Sequence, residues 1–111
     1  MAQWLGQFSG HTHATKVEDA EDALRHAVTA LRAAGQDDRE GKAKSVRNLA
    51  GRLLAARLKL YKARLAALEP AADGREQKLD GVETLRAREA RTRAEGEKGI
   101  LAEFGALDAL A

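Results

Sequence analysis

Three histidines, His11, His13 and His26, are the side chains of this sequence whose charge ordinarily changes near neutrality. His11-Thr12-His13 offers two imidazoles that could hold a transition metal weakly, but two ligands do not make a site. His26 follows Asp22 by one helical turn. Carboxylate-bridged metal sites in helical bundles need Glu-x-x-His on two helices, and the sequence has no such pair. The only serines, Ser9 and Ser45, have no base spaced to activate a hydroxyl. The ten glycines form no phosphate-binding loop. There is no cysteine, which excludes disulfides, thiolate catalysis and thiolate metal ligation. The expectation is a protein that is not an enzyme and takes no cofactor or metal.

What remains is a chemistry of contact. Charge is unevenly spread: residues 1–38 carry three basic and six acidic side chains, residues 39–69 nine and two, and residues 70–111 seven and nine. A basic middle segment therefore lies between two acidic flanks. Within it, Lys44, Arg52, Lys59 and Lys62 share one helical arc, with Arg47 near its edge. Such a row could neutralise phosphates. No aromatic side chains are interleaved with it to stack on bases, so a solvated face paired with acidic neighbours is the plainer reading.

The same segment carries two apolar stripes. One runs Val46, Leu49, Leu53, Ala56, Leu60, Ala63, Ala67; the other runs Leu54, Leu58, Tyr61, Leu65, Leu68. Both step by alternating threes and fours, the spacing of a coiled-coil seam. A helix with two seams needs two neighbours. Arg57 and Arg64 fall between the stripes, on the inward arc. A buried arginine must find an acidic partner, and Glu21, an acidic side chain of the third helix or one of another subunit is a candidate. The plainer reading is that the long stems cover leucines while the guanidinium groups reach water.

These features need long helices to position them. Ala, Leu, Arg, Glu and Lys dominate, aromatics are 4% of residues, and no run of β-branched and aromatic residues reads as a strand. Thr15 with Glu18 has the form of a capping box, followed by Asp19, Glu21 and Asp22 where a helix dipole favours negative charge. Val17, Leu24 and Leu31, with Ala20, Ala27 and Ala34 between them, make one narrow stripe. Gly35 reads as a left-handed stop. Asp37, Asp38 and Glu40 suit a second helix start, and Pro70 ends that helix after roughly 45 Å. Asp73 with Glu76, or Asp80 with Glu83, can cap a third helix.

The third helix begins with Leu79, Val82 and Leu85 and then has almost nothing to bury from Arg86 to Lys98. Gly96 and Gly99 cost roughly 1 kcal/mol each inside a helix, so a kink or break is expected there. Ile100, Phe104, Leu107 and Ala111 then rebuild an apolar face, with Leu110 beside it. Trp4-Leu5 with Phe8 repeats the spacing of Ile100-Leu101 with Phe104. These end segments can plug the two ends of a bundle or join neighbouring molecules. Trp4-Leu5-Gly6 also has the order of the Trp-x-Gly signature of small helical-hairpin secretion substrates. That family carries the motif in its central turn, which is not where it lies here.

The predicted fold is all-α: an antiparallel three-helix bundle, or coiled-coil-like hairpin, over residues 13–34, 38–69 and 74–95, with a short amphipathic C-terminal helix over 99–110, all in one domain. The predicted function is a non-enzymatic coiled-coil interaction protein (an adaptor, assembly or inhibitor factor). Its partner would be another protein or a second copy, met through Leu54, Leu58, Tyr61, Leu65, Leu68, Arg57 and Arg64. The alternative is a nucleic-acid-binding accessory protein that uses Lys44, Arg47, Arg52, Lys59 and Lys62. No apolar run approaches the roughly 20 residues of a membrane span, and the N-terminus lacks signal-peptide order. The expected location is the cytoplasm.

Overall fold

Stretches this rich in Ala, Leu, Arg, Glu and Lys favour helix at nearly every position, and only glycines and the single proline interrupt them. The computed structural model describes residues 2–68 and 76–111, with side chains from 12 to 68 and from 81 to 111. It contains α1 (Ala2–Ala33), α2 (Gln36–Leu68), α3 (Glu76–Glu103) and the short α4 (Leu107–Leu110). No strand occurs among the described residues. The protein is an all-α bundle.

Helix α1 starts at Ala2, well before the expected capping box. Thr15 and Glu18 fall inside it and cap no helix start, and its first turn carries no acidic residue. The reason is cooperativity. Once a helix exists, each added residue brings a backbone hydrogen bond, and nothing in Ala2–Ala14 is a proline to stop it. Asp80 likewise lies inside α3, and the Asp73–Glu76 cap involves a position outside the described residues.

Between α1 and α2 the chain spends only Ala34 and Gly35. Ala34 N–H donates to the Leu31 carbonyl at 3.2 Å, and Asp38 N–H donates to the Gly35 carbonyl at 3.1 Å. Gly35 does not take the left-handed conformation expected of it: the positive-φ glycines are Gly96 and Gly105. It heads α2 instead, with Asp37 and Asp38 in the first turn against the helix dipole.

The main core is the seam of this hairpin. Val17, Leu24, Val28 and Leu31 of α1 pack with Val46, Ala50, Leu53 and Leu60 of α2. Leu24, Leu31, Leu53 and Val46 are the largest fully buried side chains. Val17, Leu24 and Leu31 of the expected α1 stripe are buried, joined by Val28, which lies outside that stripe. On α2, Ala67 of the first stripe is exposed, while Ala50, which belongs to neither stripe, is fully buried.

A second, smaller core lies at the other end of α2, where Leu65 meets Val82 and Leu85 of α3, flanked by Tyr61 and Leu68. Helix α2 therefore contacts both α1 and α3 along its length. The backbone measures 58 × 33 × 14 Å. Three helices at 8–10 Å spacings, closed into a triangle, would be about as broad as thick. This fold is more than twice as broad as it is thick, so α1 and α3 flank α2 and spread apart.

They come together only near the C-terminus, and Gly96 is the cause. It has φ 58° and ψ −151° inside α3, a region open essentially to glycine alone. The kink falls where the glycines led one to expect it, but α3 resumes and runs on to Glu103. Past the kink, Ile100 and Leu101 are buried in the α1–α2 core.

The end of α3 is a Schellman turn. Gly105 has φ 66°; its N–H donates to the Ala102 carbonyl at 3.1 Å, and Ala106 N–H donates to the Leu101 carbonyl at 2.8 Å. This turn resets the helical phase. The expected continuous helix over 99–110 is therefore replaced by two pieces: Leu101 and Ala106 point inward, while Leu107 is 41% exposed and Ala111 is exposed.

Candidate partner-docking face

The second stripe of α2 is covered unevenly. Leu65 is buried, with Tyr61 and Leu68 packed beside it against α3. Leu54 packs at the edge of the main core. Leu58, the centre of the stripe, packs against neither core and is half-buried. The cause lies opposite. From Arg86 to Glu95, α3 offers exposed arginines, alanines and carboxylates, with only Glu89 and Thr92 half-buried. It holds itself together there with Arg91–Glu95 at 2.7 Å and Arg93–Glu89 at 3.7 Å, pairs that weakly support an exposed helix.

Arg57 and Arg64 have different fates. Arg64 is exposed, its guanidinium reaching water at the end of a long stem as the plainer reading of both arginines has it, whereas Arg57 departs from that reading. Arg57 has a side chain only 15% exposed and is fully engaged. Its Nη2 donates to Glu21 Oε2 on α1 at 3.1 Å and to Glu103 Oε2 on α3 at 2.7 Å, and its Nη1 donates to Glu103 Oε1 at 2.7 Å. One guanidinium thus ties all three long helices. The two-pronged contact with Glu103 uses the fork geometry that carboxylates match best. The hydrogen bonds to Glu103, the charge of that carboxylate and the contact with Glu21 raise the Arg57 pKa against desolvation, so it stays charged at any accessible pH.

Conversely, the hydrogen bond from Arg57 holds the Glu103 carboxyl below its ordinary value of 4.5, helped by the charges of Arg57 and Arg25 and opposed by desolvation. A carboxyl with a depressed folded-state pKa contributes stability above its unfolded value, and that contribution is lost as pH falls through the folded value. Glu103 is half exposed, which keeps the effect modest. Thermal melts should therefore separate wild type from Glu103→Gln most at neutral pH. The gap should shrink as pH falls below about 4.5; a gap constant across that range contradicts the pairing.

Further contacts around this clasp were not foreseen from sequence. The Arg25 guanidinium lies over the Phe104 ring at 5.6 Å, a cation–π contact. Arg32 Nη2 donates to the Gly105 carbonyl and lies 3.7 Å from Asp108 Oδ1. Arg39 Nη2 donates to the Ala109 carbonyl at 2.7 Å. A shallow cavity of about 80 Å³ sits beside the kink, lined by Arg57, Thr92, Gly96 and Glu103 among others. Phe104 is half-buried and packs on the main core. The side chains of Trp4, Leu5 and Phe8 lie outside the described residues, as do those of His11 and Leu79.

The basic row is fully on the surface: Lys44, Arg47, Arg52, Lys59 and Lys62 are all exposed. None of the five makes an ion pair among the described residues. At one end the row borders a groove between α2 and α3 lined by Lys62, Leu65, Ala66, Arg86, Glu89 and Arg93. His13 is half-buried and His26 exposed. Among the described residues no group of three or more His, Cys, Asp or Glu is placed to hold a metal ion, and no helix is long and apolar enough to cross a membrane. No family model, curated protein or solved structure matches the chain.

Proposed function

We propose that this chain is a non-enzymatic coiled-coil interaction protein, an adaptor, assembly or inhibitor factor that acts by protein–protein contact. The observation that carries the reading is the half-covered second stripe of α2. Leu58 packs against neither core, and its stripe neighbours Leu54 and Tyr61 are also half-buried. The occupant proposed is a second copy of the chain. Charge supports it: the basic α2 surface is matched by the acidic residues 1–38 and 70–111 of another copy, and a net charge of +2 gives copies little reason to repel. The cysteine-free sequence suits the cytoplasm, the location this reading proposes.

Sedimentation velocity tests it with Leu58→Glu, a substitution at a position outside both cores. Wild type is expected to sediment as an oligomer, and the variant as a monomer of unchanged helix content. Identical sedimentation of the two proteins would overturn the reading.

The second reading, a nucleic-acid-binding accessory protein, has one observation in its favour: five exposed cations without ion-pair partners among the described residues. It requires retardation of DNA or RNA at low salt that falls steeply as salt rises. Loss of that retardation in Lys59→Glu/Lys62→Glu would support it, and no binding at low salt would remove it.

A further inference from the structure

The chain beyond Gly96 is held to the α1–α2 hairpin as a unit. Ile100, Leu101 and Ala106 are buried in the hairpin's core. Arg57, Arg25, Arg32 and Arg39, all from the hairpin, grip Glu103, Phe104, the Gly105 carbonyl and the Ala109 carbonyl in turn. The connection back to the rest of α3 is one residue with a backbone conformation reserved for glycine. A Cβ built on Gly96 meets nothing within 4 Å. Conformation alone, not crowding, keeps the position as glycine. Glycine can also adopt ordinary helical angles, and α3 would then run straight.

We propose that residues 97–111 are an exchangeable arm, and that the site they fill on α1–α2 accepts the same arm from a second copy, with α3 straight through Gly96 in both. Every contact named above is then remade between chains, so the exchange gives up no buried surface. The closed monomer prevails at low concentration because its arm is present at a high effective concentration. This site is distinct from the leucine stripe of α2 and does not rest on that stripe's role.

The test is made in the Leu58→Glu background, which removes association through the stripe. Adding Gly96→Ala penalises the kink and favours the straight helix in both chains. The dimer dissociation constant, read by analytical ultracentrifugation, is expected to fall about a hundredfold or more. A folded Gly96→Ala protein that remains monomeric at the highest concentration overturns the proposal.

A second arm of the test keeps Gly96. Chains carrying Arg57→Glu and chains carrying Glu103→Arg each face like charges when closed. Exchanged with one another, both clasps are complementary. Refolding an equal mixture at high concentration should give heterodimers by native mass spectrometry in several-fold excess over either homodimer. A mixture containing no heterodimer overturns the proposal independently of how Gly96→Ala behaves.

Discussion

Leu53→Ala is expected to destabilise the protein by about 2–5 kcal/mol. Leu53 is fully buried at the centre of the hairpin seam, the larger of the two cores. Removing it loses the transfer energy of its methyl groups and leaves a cavity between two rigid helices that can close only in part. A domain of this length has roughly 5–15 kcal/mol in all, so the loss is a large share. The same truncation at Leu65 should behave differently. Its core comprises Leu65, Val82 and Leu85 with two half-buried neighbours, at the far end of α2. Leu65→Ala should mainly loosen the first half of α3, seen as faster amide exchange over 81–95 with a smaller change in the global melt. Equal global losses from the two variants would contradict the two-core description.

Arg57→Ala is expected to cost about 1–3 kcal/mol, the scale of hydrogen bonds to charged groups reduced for partial exposure. The guanidinium is the member that neutralises Glu21 and Glu103 together. Without it two carboxylates from different helices face each other unpaired. The loss should be local in character, with exchange accelerating first over residues 97–103, because that stretch loses its tie to α1 and α2. In a double-mutant cycle, Arg57→Ala combined with Glu103→Gln should cost clearly less than the sum of the single substitutions. Strict additivity would show that the pair contributes nothing.

Those two positions also show what could be read from the chain beforehand. The hairpin was legible because its signals are local: the spacing of Val17, Leu24 and Leu31, the Gly35–Asp38 turn and the first stripe of α2 all lie in adjacent sequence. Arg57 was legible only in part: Glu21 is among its candidate partners, but the plainer reading puts both guanidinium groups in water, and only Arg64 follows it. Glu103 was not singled out, since one exposed carboxylate among several in α3 carries no local mark. The contacts of Arg32 and Arg39 with carbonyls 73 and 70 residues away belong to the same class. Helical periodicity failed where it was carried across a turn. Ile100, Phe104, Leu107 and Ala111 share a face only if the helix is continuous, and the Schellman turn at Gly105 turns Leu107 outward. It failed in the opposite sense at Thr15, where a good cap sequence sits inside a longer helix.

The proposed docking face sits on the central helix, which makes its position testable without knowledge of any partner. Backbone amide spectra recorded from low micromolar to near-millimolar concentration measure it most directly. Association through the second stripe should move the signals of Leu54, Leu58 and Tyr61 first and furthest, ahead of any change at the basic row. Spectra that do not change with concentration, or shifts confined to the basic row, would contradict the central claim that this protein works through the half-covered leucine face of α2.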